Sequence, residues 1–236
     1  MERYGFPPLK DYLVQELATL QHLQCSTSLR SACPQSSGSL SKALGVVRTY
    51  AEKQKKRKVW NTGSVEFQLS LEFETVLDGK SHWVKLYSCV GFRDGKLSKF
   101  SQAIEVFGAK GLDTEGSIVR RIHFDVALPN EPNKKYHPLY HVQVGGESCD
   151  NIRVLDESKL SYPRIPYRPL SLALFLDMSI RELAPKQLKS FVNESAWQGI
   201  VRSNEELMIY PFWNKIREQF EKNSGFVLSD IYYEGL

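Results

Sequence analysis

Between Ser117 and Gly146 stand three of the chain's five histidines, His123, His137 and His141. Arg121 and Asp125 flank His123 at two residues on either side. An imidazole with a carboxylate partner can take or give a proton near neutral pH. A guanidinium beside it can hold a phosphate or stabilise negative charge in a transition state. Arg121, His123, Asp125, His137 and His141 are therefore candidate catalytic residues for metal-free cleavage of RNA or another phosphodiester. The same imidazoles and carboxylate are suitable ligands for zinc or another divalent ion. Their spacing matches no metal signature, however, and no cofactor is called for. The plainer alternative is a cross-strand His–Asp hydrogen bond that only stabilises a sheet.

Strand phase decides which of these groups can meet. Ile122, Phe124, Val126 and Leu128 alternate with Arg121, His123 and Asp125, and Tyr140, Val142 and Val144 alternate with His141 and Gln143. If the two runs form a hairpin with a shared apolar face, the numbers of paired residues must sum to an even value. A loop centred near Asn133 then sets His141 opposite His123 or Asp125, with Cβ atoms about 5 Å apart. His137 joins only if Pro138 bends the chain, because four extended residues span about 13 Å.

A second feature is the run Lys53, Lys55, Lys56, Arg57 and Lys58, with Trp60 just beyond it. Cations at a helix C-terminus complement its dipole and are commonly just solvated. They would equally contact a phosphate backbone, with Trp60 stacking on a base. A nuclear-import signal would read similarly. Elsewhere the chain has no Walker loop, GxGxxG, GxSxG or HExxH.

Around these residues, Leu9, Tyr12, Leu13, Leu17, Leu20 and Leu23 recur at helical spacing. The stretch from Cys25 to Ser39 is rich in Ser and Pro and predicts a flexible connection, with Ser39 capping the next helix. From Ser64 the period becomes two: Val65, Phe67, Leu69, Leu71 and Phe73 against Glu66, Gln68, Ser70, Glu72 and Glu74. Asp78-Gly79 and Asp94-Gly95 predict tight turns into strands near 82–91 and 100–107. Leu170 to Leu183 is apolar almost all round and predicts the most buried helix, with Pro169 in its first turn. Short helices and a final amphipathic one carrying Tyr210, Trp213, Ile216 and Phe220 follow.

The expected fold is one α+β domain over 1–236. Residues 1–60 supply N-terminal helices, 61–146 an antiparallel meander of about five strands, and 147–236 a mainly helical part. The helices pack on the apolar face of the sheet. A net charge of +4 permits an anionic partner without requiring one. The aromatics Tyr210, Phe212, Trp213, Phe226, Tyr232 and Tyr233 could instead face a protein partner. No apolar run reaches the ~18 residues of a membrane span, and no signal core opens the chain. Four scattered cysteines without a CxxC pair read as reduced thiols, so the expectation is a soluble cytoplasmic protein.

His137, Pro138, His141 and Gly145, followed by Arg164, Ile165, Pro166 and Pro169, resemble a family of uncharacterised bacterial proteins. In that family a His-Pro-x-x-His strand precedes an Arg-Ile-Pro segment and a hydrophobic helix. The resemblance covers Ile118 to Leu183 and carries no activity. It implies an association with mobile-element, antiviral defence or toxin–antitoxin genes. The segment Tyr162–Pro169 is stiffened by three prolines. It reads as a connector to the buried helix, or as a device that presents Arg164 and Arg168 to nucleic acid. Together these features favour a nucleic-acid-binding or -processing protein, with a non-enzymatic antitoxin, adaptor or assembly subunit as the alternative.

Overall fold

Two Asp-Gly pairs set the register of the sheet. In the computed structural model, which describes residues 7–58, 60, 62–108, 118–126, 140–144, 165–168 and 170–222, Asp78 and Gly79 have φ of 51° and 73°, and Asp94 and Gly95 of 49° and 74°. Left-handed conformation at both central residues is what a two-residue hairpin turn demands, since its twist then matches that of the strands. The turns join β1 (Ser64–Leu77) to β2 (Lys80–Arg93) and β2 to β3 (Lys96–Phe107), pairing Leu77 with Lys80 and Arg93 with Lys96. With β4 (Ile118–Val126) and β5 (Tyr140–Val144) the strands form an antiparallel meander in sequential order.

The Arg-Ile-Pro segment is more than a connector. Ile165–Pro166 forms a two-residue sixth strand, β6, that pairs antiparallel with β5 at His141 and Val142. Proline lacks an N–H, and an edge position is where a sheet tolerates it.

One face of the sheet is the core. Val65, Phe67, Leu69, Leu71 and Phe73 of β1 are buried there with Val84, Leu86 and Val90 of β2, Phe100 and Ile104 of β3, and Phe124 and Val126 of β4. Helix α1 (Leu9–Cys25) buries Leu9, Tyr12, Leu13, Leu20 and Leu23, and α3 (Ser37–Arg57) buries Leu40, Ala43, Leu44, Val47 and Tyr50. Helix α4 (Leu172–Leu183) is buried over Leu172–Leu176 and again at Ile180. Phe124 meets Phe175 of α4 edge-on, with ring centroids 5.9 Å apart. The layering is therefore helices on the apolar face of one antiparallel sheet.

Three local expectations are revised. The Cys25–Ser39 stretch is not a flexible connection: it holds α2 (Thr27–Ala32), capped by Ser26, whose hydroxyl accepts from the Leu29 N–H, and a 3-10 turn at Pro34–Ser36. Ser39 does not cap α3. Its hydroxyl accepts from the Ser70 N–H at 2.8 Å, and that of Ser36 accepts from the Glu72 N–H at 2.9 Å. Both donors lie on the outer edge of β1, so two serines satisfy edge groups that would otherwise template pairing with another chain. Finally, α5 (Lys186–Val192) is followed by one 28-residue helix, α6 (Ser195–Lys222), that runs through Pro211. Pro169 and the C-terminal aromatics Phe226, Tyr232 and Tyr233 lie outside the described residues.

Among the described residues no helix is long and apolar enough to cross a membrane. Cys25, Cys33 and Cys89 are free thiols. Burial pushes the Cys33 thiol up to about 12, which makes it inert at neutral pH.

Candidate functional site

The second sheet face is built from cross-strand rows. One row runs Gln68, Cys89, Ser101, Asp125, His141 across β1 to β5 and ends on Pro166 of β6. The next runs Ser70, Tyr87, Ala103, His123, Gln143. A third runs Glu72, Lys85, Glu105, Arg121, so charges alternate in sign from strand to strand. Of the two pairings that hairpin parity allows, the structure adopts Asp125 opposite His141.

The face is not uniformly wet, as alternation alone would suggest. Cys89, Ala103 and Glu105 are fully buried, and Arg121 and His141 are only 4% and 5% exposed. Arg121 Nε donates to Glu105 Oε1 at 3.2 Å. This guanidinium is committed to an internal ion pair rather than presented to a phosphate. Two buried charges persist together because either alone would face an uncompensated desolvation cost.

His123 and Asp125 remain partly open, with side-chain exposures of 19% and 26%. Being two apart on β4, they point to the same side. The imidazole leans along the strand, so that Nε2 lies 2.9 Å from Asp125 Oδ1 and 2.7 Å from Ser101 Oγ. Ala103, directly across from His123 on β3, has no bulk to block that lean. Ser101 and Asp125 thus both meet His123 Nε2, Ser101 through a hydrogen bond and Asp125 at ion-pair distance, with His141 across the hairpin. Ser101 was legible in principle: the phase that puts Glu105 on this face also puts Ser101 there. Its short hydroxyl gave no reason to select it. His137 and Arg164 lie outside the described residues, whereas Arg168 is exposed just after β6. Among the described residues, no three His, Cys, Asp or Glu side chains gather as a group that could hold a metal ion.

The basic run occupies the end of the sheet nearest the β2–β3 turn. Lys53, Lys55, Lys56, Arg57 and Lys58 are all exposed at the end of α3, which Lys58 closes in left-handed conformation at φ 54°. The Tyr50 hydroxyl and Gln54 Nε2 both donate to the Thr62 carbonyl at 3.1 Å. Gly63 in turn donates to Asp94 Oδ1 and accepts from the Asp94 N–H. These bonds fix the helix end against the hairpin turn, whose Arg93 and Lys96 are also exposed. Trp60 is half-buried and packs against the core.

Between this corner and the His123 group lies Lys99, whose Nζ donates to Glu66 Oε1 at 2.8 Å. That hydrogen bond holds the Glu66 carboxyl below its ordinary range. Lys99 and Glu66 face each other across Gly91 of the intervening strand. A Cβ on Gly91 would come 3.2 Å from Lys99 Cβ, so a bare backbone there keeps the bridge open.

Comparison with family models, curated proteins and solved structures returns no match to this chain.

Proposed function

We propose that this protein binds nucleic acid, with the corner formed by α3 and the β2–β3 turn as its phosphate-binding surface. The observation that carries the reading is that the cationic end of α3 is tied by hydrogen bonds to a hairpin turn bearing two further exposed cations. Lys53, Lys55, Lys56, Arg57 and Lys58 come from the helix, Arg93 and Lys96 from the hairpin, and all are exposed. None takes part in an ion pair among the described residues. A solvated helix end accounts for the first five but not for cations arriving from a second element. The polar sheet face beside the corner is where processing of a bound strand would take place. A bacterial defence, toxin or mobile-element setting suits such a protein and rests on the sequence resemblance alone.

The test is binding of a fluorescent single-stranded oligonucleotide as salt is varied. Five phosphate contacts predict a loss on the order of 10²-fold in affinity between 50 and 200 mM salt. The variant K55Q/K56Q/R57Q should bind far more weakly and lose only about 1–2 kcal/mol of stability, the worth of cations at a helix C-terminus. Salt-independent binding, or none at low salt, would overturn the reading.

A second reading, part of a larger assembly, draws on Tyr210, Trp213 and Phe220 of α6, which are 56%, 49% and 48% exposed. Large aromatics are enriched at protein interfaces. Sedimentation as a monomer at every concentration would count against self-assembly through this face.

A further inference from the structure

We infer that α6 pairs antiparallel with α6 of a second copy of this chain, along the outward ridge Arg202, Glu206, Tyr210, Trp213, Arg217 and Glu221. The inference deepens the assembly reading and rests on it. Two sides of the helix do different work. Asn204, Met208, Ile209, Phe212 and Ile216 are buried and tie α6 to its own fold. The six ridge residues are three or four apart in sequence, the spacing that keeps side chains on one face, and all six are exposed. Tyr210 and Trp213, at the middle of the ridge, are 56% and 49% exposed. Among the described residues, every exposed aromatic ring lies on this helix. The Trp213 ring meets Phe212 edge-on with centroids 5.5 Å apart, and Phe212 meets Tyr140 of β5 at 6.1 Å. A ring braced on the core in this way costs little further ordering when a partner covers it.

The order of charges along the ridge names the occupant. It runs cation, anion, two rings, cation, anion. In a two-fold pair each contact occurs twice, because residue i meets j and j meets i. An antiparallel pair centred between Tyr210 and Trp213 sets Arg202 of one copy against Glu221 of the other. The same register sets Glu206 against Arg217 and Tyr210 against Trp213. Every charge on the ridge therefore meets its opposite, with the rings at the centre. A parallel pair in register would set each charge against its own kind, a repulsion that selects the antiparallel orientation. Arg202 and Glu206 enter no ion pair among the described residues. Arg217 Nε lies 3.7 Å from Glu221 Oε1 of its own chain, so Glu206 of the second copy would complete a network.

The size of the seam sets the expected strength. From Arg202 to Glu221 the ridge is about 28 Å long at ~1.5 Å per residue. Half-exposed Tyr and Trp rings each have roughly 100 Å² left to bury. With the charged flanks, the pair sits near the low end of specific interfaces, about 1,200 Å² in total, and a dissociation constant on the order of 10 μM is expected.

The experiment is sedimentation velocity of the full chain from about 1 to 300 μM, a range that brackets that constant. A monomer–dimer equilibrium is expected for the parent. Arg217→Glu and Glu206→Arg, each made alone, turn both symmetry-related opposite-charge contacts into like-charge ones and should weaken the dimer about tenfold or more. The double variant E206R/R217E restores opposite charges across the seam and should dimerise as the parent does. Neither single change should alter the urea midpoint by much, since both sites are exposed. Tyr210→Ser with Trp213→Ser should abolish the dimer. A dimer that ignores the charge variants but falls to the double serine variant would overturn the antiparallel pairing alone and leave the assembly reading standing. A parent that remains monomeric throughout would overturn the inference and self-assembly through this face together. A dimer that survives the double serine variant would place the contact elsewhere and overturn it as well.

Discussion

Glu16 is a carboxylate placed in the middle of an apolar stripe, and its replacement by glutamine has a calculable consequence. It is fully buried on α1, between Leu13 and Leu20, and its Oε1 accepts from the Leu172 N–H at 3.0 Å. It therefore caps the N-terminus of α4 from the opposite end of the sequence. Burial pushes its carboxyl up to about 7 from an ordinary value of 4.5, although the Leu172 N–H and the Tyr12 hydroxyl favour the charged form. The neutral acid is thus the form that the fold prefers. Stability from this preference is fully present below about pH 4.5, declines as pH rises, and is lost above about pH 7. The shift corresponds to about 3 kcal/mol. Glutamine keeps a carbonyl for Leu172 and does not titrate in this range. Urea unfolding of both proteins at pH 4 and pH 8 isolates the effect, because every other group cancels in the comparison. The stability of Glu16→Gln relative to the parent should rise by about 3 kcal/mol from the lower to the higher pH. A relative stability constant to within ~0.5 kcal/mol across that range would refute the buried-carboxylate account.

Other outcomes follow from single contacts. Arg121→Ala removes the cation that meets Glu105 Oε1 in a buried setting and should cost about 3 kcal/mol, whereas Glu105→Leu with Arg121→Met together should cost much less, as chemical denaturation would show. A fall in activity of Arg121→Ala without loss of stability would instead mark Arg121 as a working group. Ser36→Ala and Ser39→Ala each remove the acceptor for an edge N–H of β1 and should cost about 1 kcal/mol apiece. The double variant should also aggregate more readily in light scattering, because two edge donors of β1 become available. Gly91→Val should separate Lys99 from Glu66. Both are about half exposed, so the lost ion pair itself accounts for less than about 1 kcal/mol of any destabilisation seen by thermal melting.

The hairpin pairing shows how far local rules reach. A period of two and a shared apolar face limited His141 to two partners, and the choice of Asp125 came from the detailed register, which no local rule supplied. Glu16 was visible as a charge at a stripe position, but its purpose depends on a helix end 156 residues away. Ser36 and Ser39, at the start of α3, looked like linker and cap because those are their local uses. Only the docking of α3 on β1 turned them into edge acceptors.

Alternation and Asp-Gly turns by themselves determined the antiparallel meander, its core face and the sharing of one side by Arg121, His123 and Asp125. These follow from backbone geometry and from the cost of leaving apolar groups in water. Tertiary structure alone decided that Arg121 is internal and paired, that His123 leans to Ser101, and that the end of α3 is tied to the β2–β3 turn. Sequence reports which face a side chain takes, but burial on that face and the partner within hydrogen-bond reach depend on what distant segments bring to it.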